Sequence, residues 1–131
     1  MKFRSILAGA AALALLAMPA FATDFLGGAV KSTDIGGKMV LTDANGMTLY
    51  TFDKDVPGSG KSACSGPCAA LWPAVPATAA SYSAPYSVIT RDDGAKQLAW
   101  NGKPLYLFVQ DTKPGERKGD NFKNVWHVVA N

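Results

Sequence analysis

The chain predicts an all-β, mainly antiparallel domain with pseudo-two-fold symmetry, built from two duplicated β-hairpin units. Three observations lead there. The phrase GMTLYTFDKD at 46–55 returns as GKPLYLFVQD at 102–111, with Gly, Leu, Tyr, Phe and Asp at a constant offset of 56. An Asn-Gly pair opens each copy, at Asn45-Gly46 and Asn101-Gly102, and Asn-Gly between β-branched and aromatic residues marks a hairpin. Helix-period patterning is absent outside a short stretch around Cys68, where GPCAALW starts a helical turn that Pro73 stops.

Element by element, the N-terminus begins with Lys2 and Arg4, continues as an apolar run from Ile6 to Met18, and ends in Ala20-Phe21-Ala22. This is the pattern of an export signal with a small-x-small cleavage site, so residues 1–22 are read as a cleaved signal peptide. The run is short for a membrane span, which makes an uncleaved anchor the lesser alternative. The remaining 109 residues, 23–131, suffice for one domain with a modest core. The formal net charge is +3; Lys2 and Arg4 supply two of those charges, leaving the exported part at +1. A near-neutral domain offers no electrostatic case for nucleic acid or an anionic membrane.

Residues 23–38, Gly-rich and weakly patterned, read as a lead-in that supplies one short strand. MVLTDANGMTLYTF then reads as strand, turn and strand. Pro/Gly turns follow each Asp, DVPGSG after Asp55 and DTKPGERKG after Asp111, and each unit reaches a Trp, at Trp72 and Trp126. Between the units, the Pro, Ala and Ser of PAVPATAASYSAP mark a connector. A strand from Tyr86 to Arg91 turns at Asp92-Asp93-Gly94 into Lys96–Trp100, and VWHVV at 125–129 is the last strand. The repeats are placed at about 38–75 and 94–129.

Alternate strand residues share a face. Tyr50 and Phe52 therefore point one way, as do Tyr106 and Phe108, while Leu49 and Leu105 point the other. A strand apolar on both faces is covered on both sides, and two copies bring four rings together across the pseudo-axis. Asp55 and Asp111 stand where a strand meets a Pro/Gly turn, where a carboxylate accepts from turn amides two or three residues on. The repeated Tyr50, Phe52, Asp55 and Tyr106, Phe108, Asp111 are thus expected to be scaffold. The functional alternative, a cation held by the two Asp, lacks the dense oxygen ligands that calcium requires.

LYTFDKD and LYLFVQD resemble the Tyr-x-(Phe/Trp/Tyr)-x-x-Asp motif of a family of bacterial secreted repeat proteins and predicted lipoproteins. CSGPCAALWP is similar to its Cys-x-x-x-Cys-Ala-x-x-Trp-Pro stretch, and WNGKPLYLF with GDNFKNVWHVV to its second-repeat signature. The resemblance covers about Lys38 to Val129. It implies export, duplication and a β-rich domain, with no established molecular function. Unlike the lipoprotein members, this chain has no lipid-attachment Cys near the expected cleavage point.

The cysteines, Cys64 and Cys68 in CSGPC, most often pair in an oxidising compartment. The alternative makes them metal ligands: with His127, the single His, two thiolates and an imidazole suit Cu(I) or Zn²⁺. Covalent haem needs Cys-x-x-Cys-His, which is missing, while non-covalent haem on His127 is chemically allowed. Trp72, Trp100 and Trp126 read as core before they read as a ligand groove. No Gly-x-Ser-x-Gly, phosphate loop or nucleophile pair supports an enzyme. Asp92-Asp93 precede Gly94 and read as a turn. The expected function is an exported, periplasmic or secreted, non-enzymatic binding or interaction module without a cofactor. Its partner would be an envelope protein or a small ligand, with no nucleic acid and no stable membrane insertion. The competing reading is a copper- or haem-handling redox protein of the envelope using Cys64, Cys68 and His127.

Overall fold

The computed structural model describes residues 23–130; residues 1–22, read from the sequence as a signal peptide, lie outside the described residues. Strands β1 (Thr23–Phe25), β2 (Val30–Ile35) and β3 (Lys38–Asp43) form an antiparallel sheet in that order. Strand β4 (Tyr50–Phe52) follows, then the short helix α1 (Pro67–Leu71). Strands β5 (Tyr86–Thr90), β6 (Lys96–Trp100) and β7 (Lys103–Pro104) make a second antiparallel sheet, and β8 (Trp126–Val128) returns to pair with β4. The predicted all-β architecture, with one short helix beside Cys68, is what forms.

The lead-in contributes more than one short strand. It holds both β1 and β2, and Gly36-Gly37 closes β2 onto β3 as a two-residue turn with φ of 65° and 86°. The strand signal was masked because Ser32, on the inward side, is polar yet 2% exposed. Hairpin β2–β3 thereby becomes the counterpart of hairpin β5–β6, which turns at Asp92-Asp93-Gly94 as expected.

The two Asn-Gly turns are not alike. Asn101 and Gly102 both take positive φ, 51° and 78°, and Trp100 pairs with Lys103 across them. This is the tight mirror-image turn that Asn-Gly favours. In the first copy only Gly46 is left-handed, with φ 83°. That loop is longer, running from Asp43 to Met47, and the Asp43 carboxylate accepts from the amides of Asn45 and Met47 at 2.9 and 3.0 Å. A carboxylate able to gather turn amides substitutes for the second positive φ.

The duplicated phrases meet at the centre. Tyr50 and Tyr106 exchange two backbone hydrogen bonds, Tyr50 N–H to Tyr106 O at 2.8 Å and Tyr106 N–H to Tyr50 O at 2.9 Å. The pseudo-axis passes between them. Equivalent ladders flank it: Asp53 N–H donates to Val125 O, and Val109 N–H to Leu71 O. As the face alternation predicts, the strands are covered on both sides. One core holds Tyr50, Tyr106, Phe108, Trp72 and Trp126; the other holds Leu49, Leu105, Leu41, Leu98, Val75 and Val129.

Candidate functional site

The repeated Asp residues cross between halves. The Tyr50 hydroxyl donates to Asp111 Oδ2 at 2.5 Å, and the Tyr106 hydroxyl to Asp55 Oδ2 at 2.7 Å. Each carboxylate spends its other oxygen on its own loop, Asp55 Oδ1 on the Ala63 amide at 2.6 Å and Asp111 Oδ1 on the Lys118 amide at 2.9 Å. The expectation of a cap two or three residues on is corrected: these loops are held eight and seven residues on. The reason is tertiary. Both carboxylates are 6% exposed, and a buried carboxylate needs every nearby donor. Each Asp therefore ties one repeat's loop to the other repeat's tyrosine.

Burial and then the hydrogen bond to Asp111 push the Tyr50 phenol far above its ordinary range. Burial does the same to Tyr106, opposed by the Ser62 hydroxyl. Burial raises Asp55, against the Ala63 amide, Tyr106 and Arg91, which favour its charged form.

The aromatic rings form one ordered column. Phe52 stacks on Trp126 with centroids 4.1 Å apart, Trp126 on Trp72 at 3.8 Å, and Trp72 on Phe108 at 4.1 Å. The two indoles lie within 2° of parallel. Tyr50 meets Trp72 edge-on at 5.4 Å, and Tyr106 meets Trp126 edge-on at 5.1 Å. Trp72 and Trp126 are 2% and 3% exposed, so they are core and line no groove.

Cys64 and Cys68 are joined in a disulfide. Cys64 is fully buried in the aromatic core. His127 lies elsewhere on the fold's polar surface, with Nε2 2.8 Å from Asp53 Oδ2 and Nδ1 3.1 Å from Asn121 Oδ1. The alternative metal set of Cys64, Cys68 and His127 is therefore not assembled. Its sulfurs are consumed by each other, and both imidazole nitrogens are engaged. Among the described residues no group of three or more His, Cys, Asp or Glu converges.

Residues the motifs did not single out complete the site. Arg91 donates through one nitrogen to Ser62 Oγ at 3.0 Å and Gln97 Oε1 at 2.7 Å, and through the other to the Cys64 carbonyl. Gln97 is fully buried and donates to Leu105 O at 2.7 Å. Ser62 lies within 2.6 Å of the Tyr106 hydroxyl. The disulfide loop is thereby wired to the second sheet and to the Tyr106–Asp55 pair. No local pattern marks Ser62, Arg91 or Gln97, because the contacts that join them to one another and to Tyr106 span 6 to 44 residues.

Among the described residues, clefts open on the surface at two places of note. One, of about 230 Å³, is lined by Ser62, Ser65, Gly66, Arg91, Asp92 and Asp93 among others. The second, of about 180 Å³, is mainly apolar, walled by Leu26, Val75, Leu98, Leu107 and Tyr82 and rimmed by Asp43, Asn45 and Thr78. Neither is lined by the Tyr–Asp pairs.

Comparison with known proteins found no curated protein and no solved structure that matches. One family matches twice, over residues 30–76 and 87–130. These segments begin at β2 and within β5 and end four residues past Trp72 and Trp126. Together they cover more than half of the chain. The two copies of hairpin, tyrosine strand and tryptophan segment, folded around one pseudo-axis, are the two repeats of that family, and the chain belongs to the lipoprotein family described as a secreted repeat of unknown function.

Proposed function

We propose that the chain is an exported, non-enzymatic binding module, released near Ala22 to the periplasm or beyond, working without a resident metal or haem. The observation that carries this is where the chemistry is spent. The four repeated ionisable groups, Tyr50, Tyr106, Asp55 and Asp111, are buried and bonded to one another and to their own loops. Groups committed in this way hold the two repeats together and are not poised to move protons for a substrate. Of the two clefts described, the apolar one lies between the Asp43–Asn45 loop of the first repeat and Leu98 and Leu107 of the second. An apolar wall with a few polar groups at the rim is the usual make-up of a ligand site. At about 180 Å³ it suits a small apolar compound or one side chain of a protein partner.

The test combines two measurements on protein isolated from the exported fraction. Native mass spectrometry is expected to give the chain from Thr23 less two hydrogens, with no added copper or haem. NMR titration with small aromatic and aliphatic alcohols is expected to shift Leu98, Leu107 and Tyr82 amides together. A stoichiometric metal or haem adduct overturns the proposal, as does a titration that leaves this cleft unmoved.

A further inference from the structure

The two repeats differ at their outer sheet edges. In the first repeat β1 covers the edge of β2, pairing Thr23 with Ser32 and Phe25 with Val30. The equivalent strand of the second repeat, β5, pairs with β6 alone, and no strand covers its other edge among the described residues. The ladder parity is fixed. Asn101 N–H donates to Pro85 O, so Pro85, Ser87 and Ile89 face β6, while Tyr86, Val88 and Thr90 turn their backbone groups outward. Of these outward groups the Tyr86 N–H is already taken by Ser83 O at 3.0 Å. The N–H groups of Val88 and Thr90 face out without a backbone acceptor on this edge.

We infer that the β5 edge is a pairing surface for a second copy of this chain, joined antiparallel about Val88. A strand placed against its own copy with Val88 opposite Val88 exchanges two hydrogen bonds there. Thr90 N–H then donates to Tyr86 O of the other copy, and the reverse. All four outward donors of the pair are satisfied. In such a ladder the Tyr86 N–H would face Thr90 O of the other copy, but it is already held by Ser83 O, so Val88 and Thr90 supply the donors that pair. Both strands also end at the same points, at Pro85, which has no N–H to offer, and at the Arg91–Gly94 turn. The strand itself, Tyr-Ser-Val-Ile-Thr, is rich in β-branched residues and carries no charge. Natural edges not meant for pairing are guarded by charge, Pro or brevity. On the other sheet the outermost strand, β1, is three residues long and carries the exposed Asp24. So short an interface predicts a weak dimer, with dissociation in about the micromolar to millimolar range.

Sedimentation of the exported protein up to about 1 mM, with amide hydrogen exchange at low and high concentration, tests this. The expected result is a monomer–dimer equilibrium in which the Val88 and Thr90 amides become protected as dimer forms. Val88→Lys sets two like charges opposite each other and is expected to weaken the dimer about tenfold or more. Val88→Asp does the same alone, and mixing the two variants restores association, which a folding defect would not do. A monomer at every concentration overturns the inference. So does a dimer that leaves Val88 and Thr90 unprotected or ignores the charge variants, since its interface then lies elsewhere.

Discussion

The first and second repeats share a frame and differ in what fills it. Tyr50 and Tyr106, Phe52 and Phe108, Trp72 and Trp126, and Asp55 and Asp111 occupy equivalent places. The loops that close over them do not match. The Tyr106 hydroxyl is met by Ser62, in a loop pinned by the Cys64–Cys68 disulfide. The Tyr50 hydroxyl is met by the amide of Gly119, at 3.2 Å, in a loop without a covalent tie. There the backbone must come close: a Cβ on Gly119 would stand 2.7 Å from the Trp72 ring and 3.0 Å from Tyr50. One loop is thus held by a cross-link and Arg91, the other by the close packing that a glycine permits. The comparison teaches that duplication preserved the residues that bridge the two halves, while residues serving one half alone were free to diverge.

The largest test of that equivalence is at the column of rings. Trp72→Ala and Trp126→Ala should each cost about 3–5 kcal/mol in urea unfolding, and by similar amounts. A gap of more than about 2 kcal/mol between them would show that one half carries the core. Next come the bridges. Asp55→Asn and Asp111→Asn each leave one acceptor for two buried donors, a phenol and a loop amide, so each should lose about 1.5–3 kcal/mol. Hydrogen exchange should then show loosening in both repeats, because each Asp ties its own loop to the other's tyrosine; loosening confined to one repeat would break the argument.

The disulfide should matter less and only on one side. Its loop spans a sequence separation of 4, for which chain entropy contributes about 2 kcal/mol. Reduction should raise exchange around Ala63–Ala69 and leave the Lys118–Gly119 amides protected. A global collapse on mild reduction would mean that the bridge holds the whole fold.

The gentlest effect per step is with pH. Both phenols are held above their ordinary pKa of about 10. Above that pH the unfolded chain releases protons that the fold keeps. Their contribution is therefore complete below about pH 10 and is lost as pH rises toward the raised values, by up to about 1.4 kcal/mol per pH unit for each phenol. Asp55, also raised, gives a slope of the same sign from the ordinary carboxylate range upward. Urea unfolding between about pH 9 and 11 should show the alkaline slope, and Tyr50→Phe or Tyr106→Phe should each reduce it, with the buried Tyr86 phenol, also raised, supplying part of the remainder. An unchanged slope in both variants would place the titration elsewhere.

Much of the frame was legible locally. The 56-residue offset, the Tyr-x-Phe alternation and the Asn-Gly turns announced two β units sharing a core, because strand period and turn chemistry act over a few residues. The CSGPC spacing was also enough to raise a local disulfide beside a helical turn. Other features were not legible for equally physical reasons. Ser32 hid a strand behind a buried hydroxyl. Asp55 and Asp111 looked like local caps, yet each reaches a tyrosine 51 and 61 residues away. His127 could be paired with the cysteines only as an alternative, and nothing in a sequence says that its neighbours would be Asp53 and Asn121.

Local chemistry therefore settled the class of fold, the duplication and which side chains face inward. Each of these follows from alternation and backbone preference, which neighbouring residues decide among themselves. Only the folded chain decided which repeat's aspartate meets which repeat's tyrosine, that the two tryptophans stack across the pseudo-axis, and that one sheet edge is covered while its counterpart is open. Those outcomes depend on contacts between residues far apart in the chain, where the desolvation of a buried carboxylate or an indole, and not its neighbours in sequence, selects the partner.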